Sequence, residues 1–152
     1  MTDLDQILEP GAVIGILGGG QLGRMLSVAA SRLGFTTHIF EPSANPPAGH
    51  VADKVTTAGY EDEAALRAFA ETVDVITYEF ENIPAEALDL IETIRPVLPN
   101  RRALATSQDR IVEKEFLTLL GLKCAPYANV ETAEDLTAAV EKVGVPSILK
   151  TR

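Results

Sequence analysis

Val13-Ile14-Gly15-Ile16-Leu17-Gly18-Gly19-Gly20-Gln21-Leu22-Gly23-Arg24-Met25 decides the fold: an apolar strand runs through glycines straight into an amphipathic helix. The spacing Gly18-x-Gly20-x-x-Gly23 fits a phosphate loop, with one glycine for the tight turn, one for close approach of a ligand and one for packing helix on strand. The N–H groups that open such a helix have no partner within it and attract an anion. The same glycines also serve a turn that only joins strand to helix tightly, so the spacing alone leaves both readings open.

Beyond this turn, Leu22, Leu26, Ala29, Ala30 and Leu33 recur at helical spacing and predict an inward face, with Gly34 where a helix ends. Residues 35–40 read as a second strand, ending at Glu41 and a breaker-rich loop over 42–49. Glu41 stands where a dinucleotide fold holds a ribose hydroxyl, and equally where an ordinary loop carboxylate would stand. Residues 52–57 suggest a short third strand, and Asp62 opens a helix with Ala65, Leu66 and Phe69 inward. Residues 73–78 form a fourth, delivering Glu79-Phe80-Glu81-Asn82 into the next loop. Pro84 suits the first position of a helix carrying Ala87, Leu88, Leu90 and Ile91, and 96–99 suggest a fifth, short strand. This alternation predicts an α/β fold, a Rossmann-like parallel sheet covered on both faces.

In such a sheet, right-handed crossovers place strand four beside strand one, opposite strand two, so the loops after strands one and four share a crevice. Gln21 and Leu22 would there meet Glu79, Glu81 and Asn82. Two carboxylates and an amide suit a substrate with amines and hydroxyls better than a bare pyrophosphate, which they repel. Alternatively, Asn82 caps the helix near Pro84 and both glutamates are merely solvated.

The chain's 152 residues suit one domain, or one small domain plus a piece of another, and its 46% hydrophobic and 23% charged composition is that of a soluble globular protein. A formal net charge of −9 argues against a nucleic-acid or anionic-membrane surface. Residues 1–11 carry no cationic secretory pattern, and the apolar run 12–17 is too short to span a bilayer. Cys124 is the only cysteine, which excludes an intrachain disulfide and points to a reducing compartment. No local motif ties His38 or His50 to it, so it reads as a small buried hydrophobe rather than a nucleophile.

From residue 100 the character changes. Arg101 to Arg110 lead into a helix with Ile111, Val112, Phe116, Leu119 and Leu120 apolar, closed at Gly121. A second helix over 133–143 has Thr132 as its cap and Glu134 and Asp135 in its first turn. Residues 147–152 suggest a strand whose alternation sets Lys150 and Arg152 on one face, either to hold an anion or to guard an exposed edge.

Three motifs in register, Gly18-Gly19-Gly20-Gln21-Leu22-Gly23-Arg24-Met25, Thr77-Tyr78-Glu79-Phe80-Glu81-Asn82 and Gln108-Asp109-Arg110-x-x-x-Lys114-x-Phe116-Leu117, resemble the N5-carboxyaminoimidazole ribonucleotide synthetases. This ATP-grasp family of purine biosynthesis supplies the ATPase subunit of phosphoribosylaminoimidazole carboxylase. The resemblance covers residues 12–150. It implies the family's N-terminal portion: a Rossmann-like pre-ATP-grasp domain over 1–102, then the start of an ATP-grasp α+β domain over 103–152.

The implied reaction is a cytoplasmic ligase step in which ATP phosphorylates bicarbonate. The carboxyphosphate, or the CO2 it releases, then carboxylates the amine of 5-aminoimidazole ribonucleotide. Arg110 and Lys150 match family positions that contact ATP. Gly20, Gln21, Leu22 and Glu79, with Asn82 beside them, correspond to positions that hold the ribonucleotide. The family's Mg2+ ligands lie past Lys150, so the resemblance assigns no metal ligand and no catalytic residue here, and the chain alone is expected not to turn over. Family members are commonly homodimers.

Other readings remain at this point. A nicotinamide-dependent oxidoreductase would use Gly18 to Gly23 for pyrophosphate and Glu41 for ribose. A non-catalytic nucleotide- or protein-binding module would need no ATP, and a related ATP-grasp ligase or transformylase stands close to the first reading.

Overall fold

The computed structural model describes residues 7–151. Residues 1–6 of the opening segment and Arg152, expected beside Lys150, therefore lie outside the described residues. Strands β1 (Val13–Leu17), β2 (Thr36–Glu41), β3 (Lys54–Thr57) and β4 (Val75–Tyr78) form one sheet in the order β3-β2-β1-β4. Every pairing is parallel, and Gly15 of β1 lies between His38 of β2 and Ile76 of β4. Helices α1 (Gln21–Arg32), α2 (Glu63–Glu71) and α3 (Ala85–Ile91) alternate with the strands. The doubly covered α/β sheet, with strand four beside strand one, is the arrangement the sequence predicts.

The two faces of the sheet are built differently, because the period of two sends neighbouring residues to opposite sides. Leu17 and Phe40 enter a large core with Leu66, Phe69 and Ala70 of α2 and Ala87, Leu88 and Ile91 of α3. Each large side chain buried there contributes about 1.5–3 kcal/mol. Gly15 makes room for this layer, since a Cβ at that position would stand 2.8 Å from the Phe69 ring. Ile16 and Ile39 face the other way, against Ala48 of a short 3₁₀ turn (Pro47–His50).

Helix α1 departs from expectation. Its buried residues are Gly23, Ser27 and Ala30, whereas Leu22, Leu26 and Leu33 are 55, 40 and 68% exposed. Small residues let the helix backbone lie close to the sheet, and the larger stripe that dominates the periodicity is left outside. Hydrophobic spacing finds the apolar stripe of a helix but not which of two compatible faces packs.

The expected fifth strand reduces to a single parallel bridge between Val97 and Ile76. Pro96 and Pro99 have no N–H to extend that ladder. Strands β3 and β4 begin two residues later than expected, and Pro84 is the N-cap of α3 rather than its first helical residue.

The chain divides into two compact units, Met1–Leu104 and Ala105–Arg152, and the division falls within helix α4 (Arg101–Gln108). The second unit holds α5 (Arg110–Leu119) and α6 (Ala133–Val143). Asp109 caps α5 by accepting from the Ile111 and Val112 N–H groups. Thr132 caps α6 in a reciprocal pair with Asp135. Residues 147–151 carry no secondary structure, with Ile148 82% and Leu149 69% exposed, so the strand expected over 147–152 is not formed among the described residues. A strand is defined by its pairing, and this unit's described residues contain no strand to pair with.

Candidate functional site

The parallel register brings the carboxyl ends of β1, β2 and β4 to one level, with Leu17 beside both Phe40 and Tyr78. The next residue of each neighbouring strand is a glutamate, so Glu41 and Glu79 flank the glycine turn. Gly18 adopts φ 100°, a left-handed conformation that favours glycine, and a Cβ there would meet the Glu79 side chain at 2.5 Å. Its N–H donates to the Phe40 carbonyl at 2.9 Å.

The turn's other donors are taken by the glutamates. The Gly19 N–H donates to Glu41 Oε2 at 2.8 Å. Glu79 receives the Gly20 N–H on Oε1 at 2.5 Å and the Gly23 N–H on Oε2. A carboxylate of the protein thus occupies the positive end of α1, where a phosphate would otherwise bind.

This changes what the motif can do. A dinucleotide pyrophosphate would need the Gly19, Gly20 and Gly23 donors and would approach two carboxylates at contact distance. Glu41 also accepts from the Ser43 N–H at 3.0 Å, which commits it to the turn that follows β2. It behaves as the loop carboxylate of the two roles open to it, and the oxidoreductase reading is not favoured. What the turn offers instead is a carboxylate edge, suited to ligand N–H and O–H groups.

A cleft of about 370 Å³ opens on this edge, lined by Gly19, Gly20, Glu41, Asn45, Glu79 and Phe80 among others. Its far wall, the loop after β2, is fastened to the glycine turn: the Ala48 N–H donates to the Gly19 carbonyl at 2.9 Å, and Arg24 Nη1 donates to the Pro47 carbonyl at 3.0 Å. Asn45, at φ 58°, pairs its Oδ1 with His50 Nε2 at 2.9 Å. The cleft therefore lies at the switch point where strand order reverses, outside the strands' carboxyl ends.

Of the residues singled out from sequence, Gly20 and Glu79 are brought into direct contact. Gln21 and Leu22 open α1 and are exposed. Asn82 is exposed in the loop before α3, whose N-cap is Pro84 with no side-chain bond, so the capping role considered for Asn82 is not realised. Glu81 is half-buried in that loop. Sequence reasoning passed over the loop over 43–47 and Phe80, which line the cleft, and Tyr60 beneath it. Only the sheet order, which sets β3 beside β2, brings the residues after β3 to this end of the sheet.

Arg110 and Lys150 lie on separate elements of the second unit. Arg110 opens α5 and pairs with Glu113 at 3.3 Å, and Lys150 is exposed in the segment over 147–151 that follows α6. This unit has its own hollow of about 560 Å³, lined by Ile111, Leu122, Cys124, Tyr127 and Lys142 among others. Cys124 is half-buried there, its Sγ 3.9 Å from the Lys114 carbonyl. Among the described residues no three His, Cys, Asp or Glu side chains converge to hold a metal, and no helix is long and apolar enough to cross a membrane.

Comparison with known proteins places the chain. Residues 12–108 match the family described as ribonucleotide synthetase preATP-grasp domain. The N5-carboxyaminoimidazole ribonucleotide synthase of Brucella melitensis is 50% identical over 145 residues, covering 95% of this chain and 40% of the relative. The ADP complex of an N5-carboxyaminoimidazole ribonucleotide synthetase superposes with a TM-score of 0.83 at 39% identity, over 96% of this chain and 38% of that one. The Aspergillus clavatus synthase, solved with ADP and 5-aminoimidazole ribonucleotide, gives a TM-score of 0.75 at 31% identity, over 90% and 37%. The chain thus spans about two fifths of the length of these relatives.

Proposed function

We propose that this chain, which belongs to the ribonucleotide synthetase preATP-grasp domain family, acts in the ATP- and bicarbonate-dependent carboxylation of 5-aminoimidazole ribonucleotide. In this reading it is the N-terminal portion of the enzyme: a pre-ATP-grasp domain over 1–102 that receives the ribonucleotide, then the opening of an ATP-grasp domain over 103–152.

The observation that carries the reading is the glycine turn whose donors are filled by Glu41 and Glu79. Such a turn presents carboxylate acceptors to a ligand rich in N–H and O–H groups, as the aminoimidazole and ribose of this ribonucleotide are. The Aspergillus relative, solved with that ribonucleotide and ADP, supports the same choice of ligand. Gly20, Glu79, Gln21, Leu22 and Asn82 are assigned to the ribonucleotide.

Arg110 and Lys150 are assigned to the ATP phosphates, whose oxygens a guanidinium and an ammonium can both donate to. The described residues offer no acidic cluster for Mg2+. Bicarbonate as co-substrate, a homodimeric assembly and a cytoplasmic location complete the reading and rest on family membership.

The test is titration calorimetry with 5-aminoimidazole ribonucleotide and, separately, with NADH. Saturable binding of the ribonucleotide that Glu79→Ala weakens at least tenfold is the expected result. Binding of NADH that Glu41→Ala abolishes and Glu79→Ala leaves intact would overturn it.

A further inference from the structure

Tyr60 lies near the cleft, and the proposed function does not use it. Its ring packs between the residues that adjoin the two glutamates: Phe40, which precedes Glu41, at 5.7 Å between centroids, and Phe80, which follows Glu79, at 6.4 Å. The hydroxyl is buried and has no hydrogen-bond partner. A buried O–H without an acceptor destabilises the fold that holds it. Burial raises the phenol's pKa, and the Glu41 and Glu79 carboxylates raise it further, so the group stays a donor at neutral pH.

The structure thus holds an unused donor beside two carboxylates whose own bonds go to the glycine turn. Glu41 is also tied to its own turn through the Ser43 N–H. Glu79 has no such local tie among its bonds to the turn, which reach Gly20 and Gly23 across the cleft floor.

We propose that Tyr60 is a positioning residue for the cleft's ligand: when a ligand amine or hydroxyl draws the Glu79 carboxylate off the glycine turn, the Tyr60 hydroxyl donates to that carboxylate and holds it in the ligand-bound pose. The inference rests on the ribonucleotide reading. It gives Tyr60 opposite effects on folding and on binding, which a merely structural tyrosine would not have. Without ligand its hydroxyl is a burden, and with ligand it acquires a partner.

The test is Tyr60→Phe, which keeps the ring and removes the oxygen. Urea unfolding of the ligand-free variant is expected to show a midpoint equal to or above that of the wild type. Calorimetric affinity for 5-aminoimidazole ribonucleotide is expected to fall about 10- to 100-fold, the value of one hydrogen bond to a charged group. A ligand-free variant with a lowered midpoint would show that the hydroxyl already has a partner, and overturns the inference. Wild-type affinity in a stable Tyr60→Phe protein overturns the inference alone. A wild-type chain that does not bind the ribonucleotide overturns the functional reading and this inference with it.

Discussion

Replacing Glu79 by alanine tests whether the carboxylate substitutes for a bound anion at the entrance of α1. The side chain accepts from the Gly20 N–H at 2.5 Å and from the Gly23 N–H, one donor for each oxygen. Hydrogen bonds to a charged group contribute about 1.5–3 kcal/mol each, and a negative charge at a helix N-terminus adds about 0.3–1 kcal/mol. The cleft is open, so water reaches the two freed N–H groups in the variant and recovers part of that sum. The expected loss is about 2–3 kcal/mol, read as a lower midpoint in urea unfolding with an unchanged slope. The variant should then gain what the wild type lacks, a vacant anion site at a helix N-terminus. Inorganic phosphate at about ten times its dissociation constant would return about 1.4 kcal/mol. Phosphate also stabilises proteins in general by exclusion from their surface, so the quantity that matters is the variant's increment minus the wild type's. A midpoint within about 0.5 kcal/mol of wild type, the scatter of ordinary surface substitutions, would refute the capping role. Equal phosphate increments in the two proteins would refute the vacant-site argument.

Three further outcomes follow from the same coordinates. His38 is 1% exposed in β2, its Nδ1 and Nε2 each 2.8 Å from a threonine hydroxyl, and burial, with Lys54 adding to it, lowers its pKa from 6.5 to about 4. The neutral ring is therefore favoured on folding: above pH 6.5 its contribution is complete, and it is lost as pH falls toward 4, by about 1.4 kcal/mol per unit and about 3 kcal/mol in all. Urea midpoints of wild type and His38→Gln should converge over that window, and a pH-independent gap between them would contradict the assignment. Gly23→Ala places a Cβ 2.7 Å from the Gly18 carbonyl oxygen, a backbone atom, and should cost about 1–3 kcal/mol despite alanine's better helix propensity; a thermal melt that rises would show that α1 can simply shift. Asp62→Ala removes the cap that accepts from the Ala65 N–H at 3.0 Å and should lower unfolding stability by about 1 kcal/mol, with ribonucleotide affinity unchanged.

How far the sequence goes depends on whether a signal is local. The glycine turn and the Asp62 and Thr132 caps are set by residues within a few positions of one another, and they stand where the spacing puts them; the parallel strand order is not local, but the handedness of crossovers between parallel strands makes it readable. The packed face of α1 is not local. Leu22, Leu26 and Leu33 carry the stronger periodic signal, yet Gly23, Ser27 and Ala30 are the residues against the sheet, because close approach to a strand rewards small volume over hydrophobicity. The strand expected over 147–152 fails for a related reason: a strand is a relation between two stretches of chain, and residues 147–151 have no described strand to pair with in their unit. Tyr60 carries no signal at all, since its place beside Glu41 and Glu79 depends on β3 pairing with β2 and on the rings of Phe40 and Phe80.

The same distinction explains why the glycine motif by itself pointed to two chemistries. Gly18, Gly20 and Gly23 fix the backbone of the turn, and that backbone presents the same N–H groups whatever fills them. The filling comes from residue 79, some sixty positions away, through the β1–β4 register that sets Tyr78 beside Leu17. A short or apolar residue at 79 would leave the donors open for phosphate, the arrangement a dinucleotide needs. Glutamate closes them and turns an anion site into an acceptor edge. The chemistry of this turn is therefore decided by the residue that ends the neighbouring strand, and Glu41 and Glu79 together specify what the glycines cannot: the turn meets the N–H and O–H groups of a ligand rather than its phosphate.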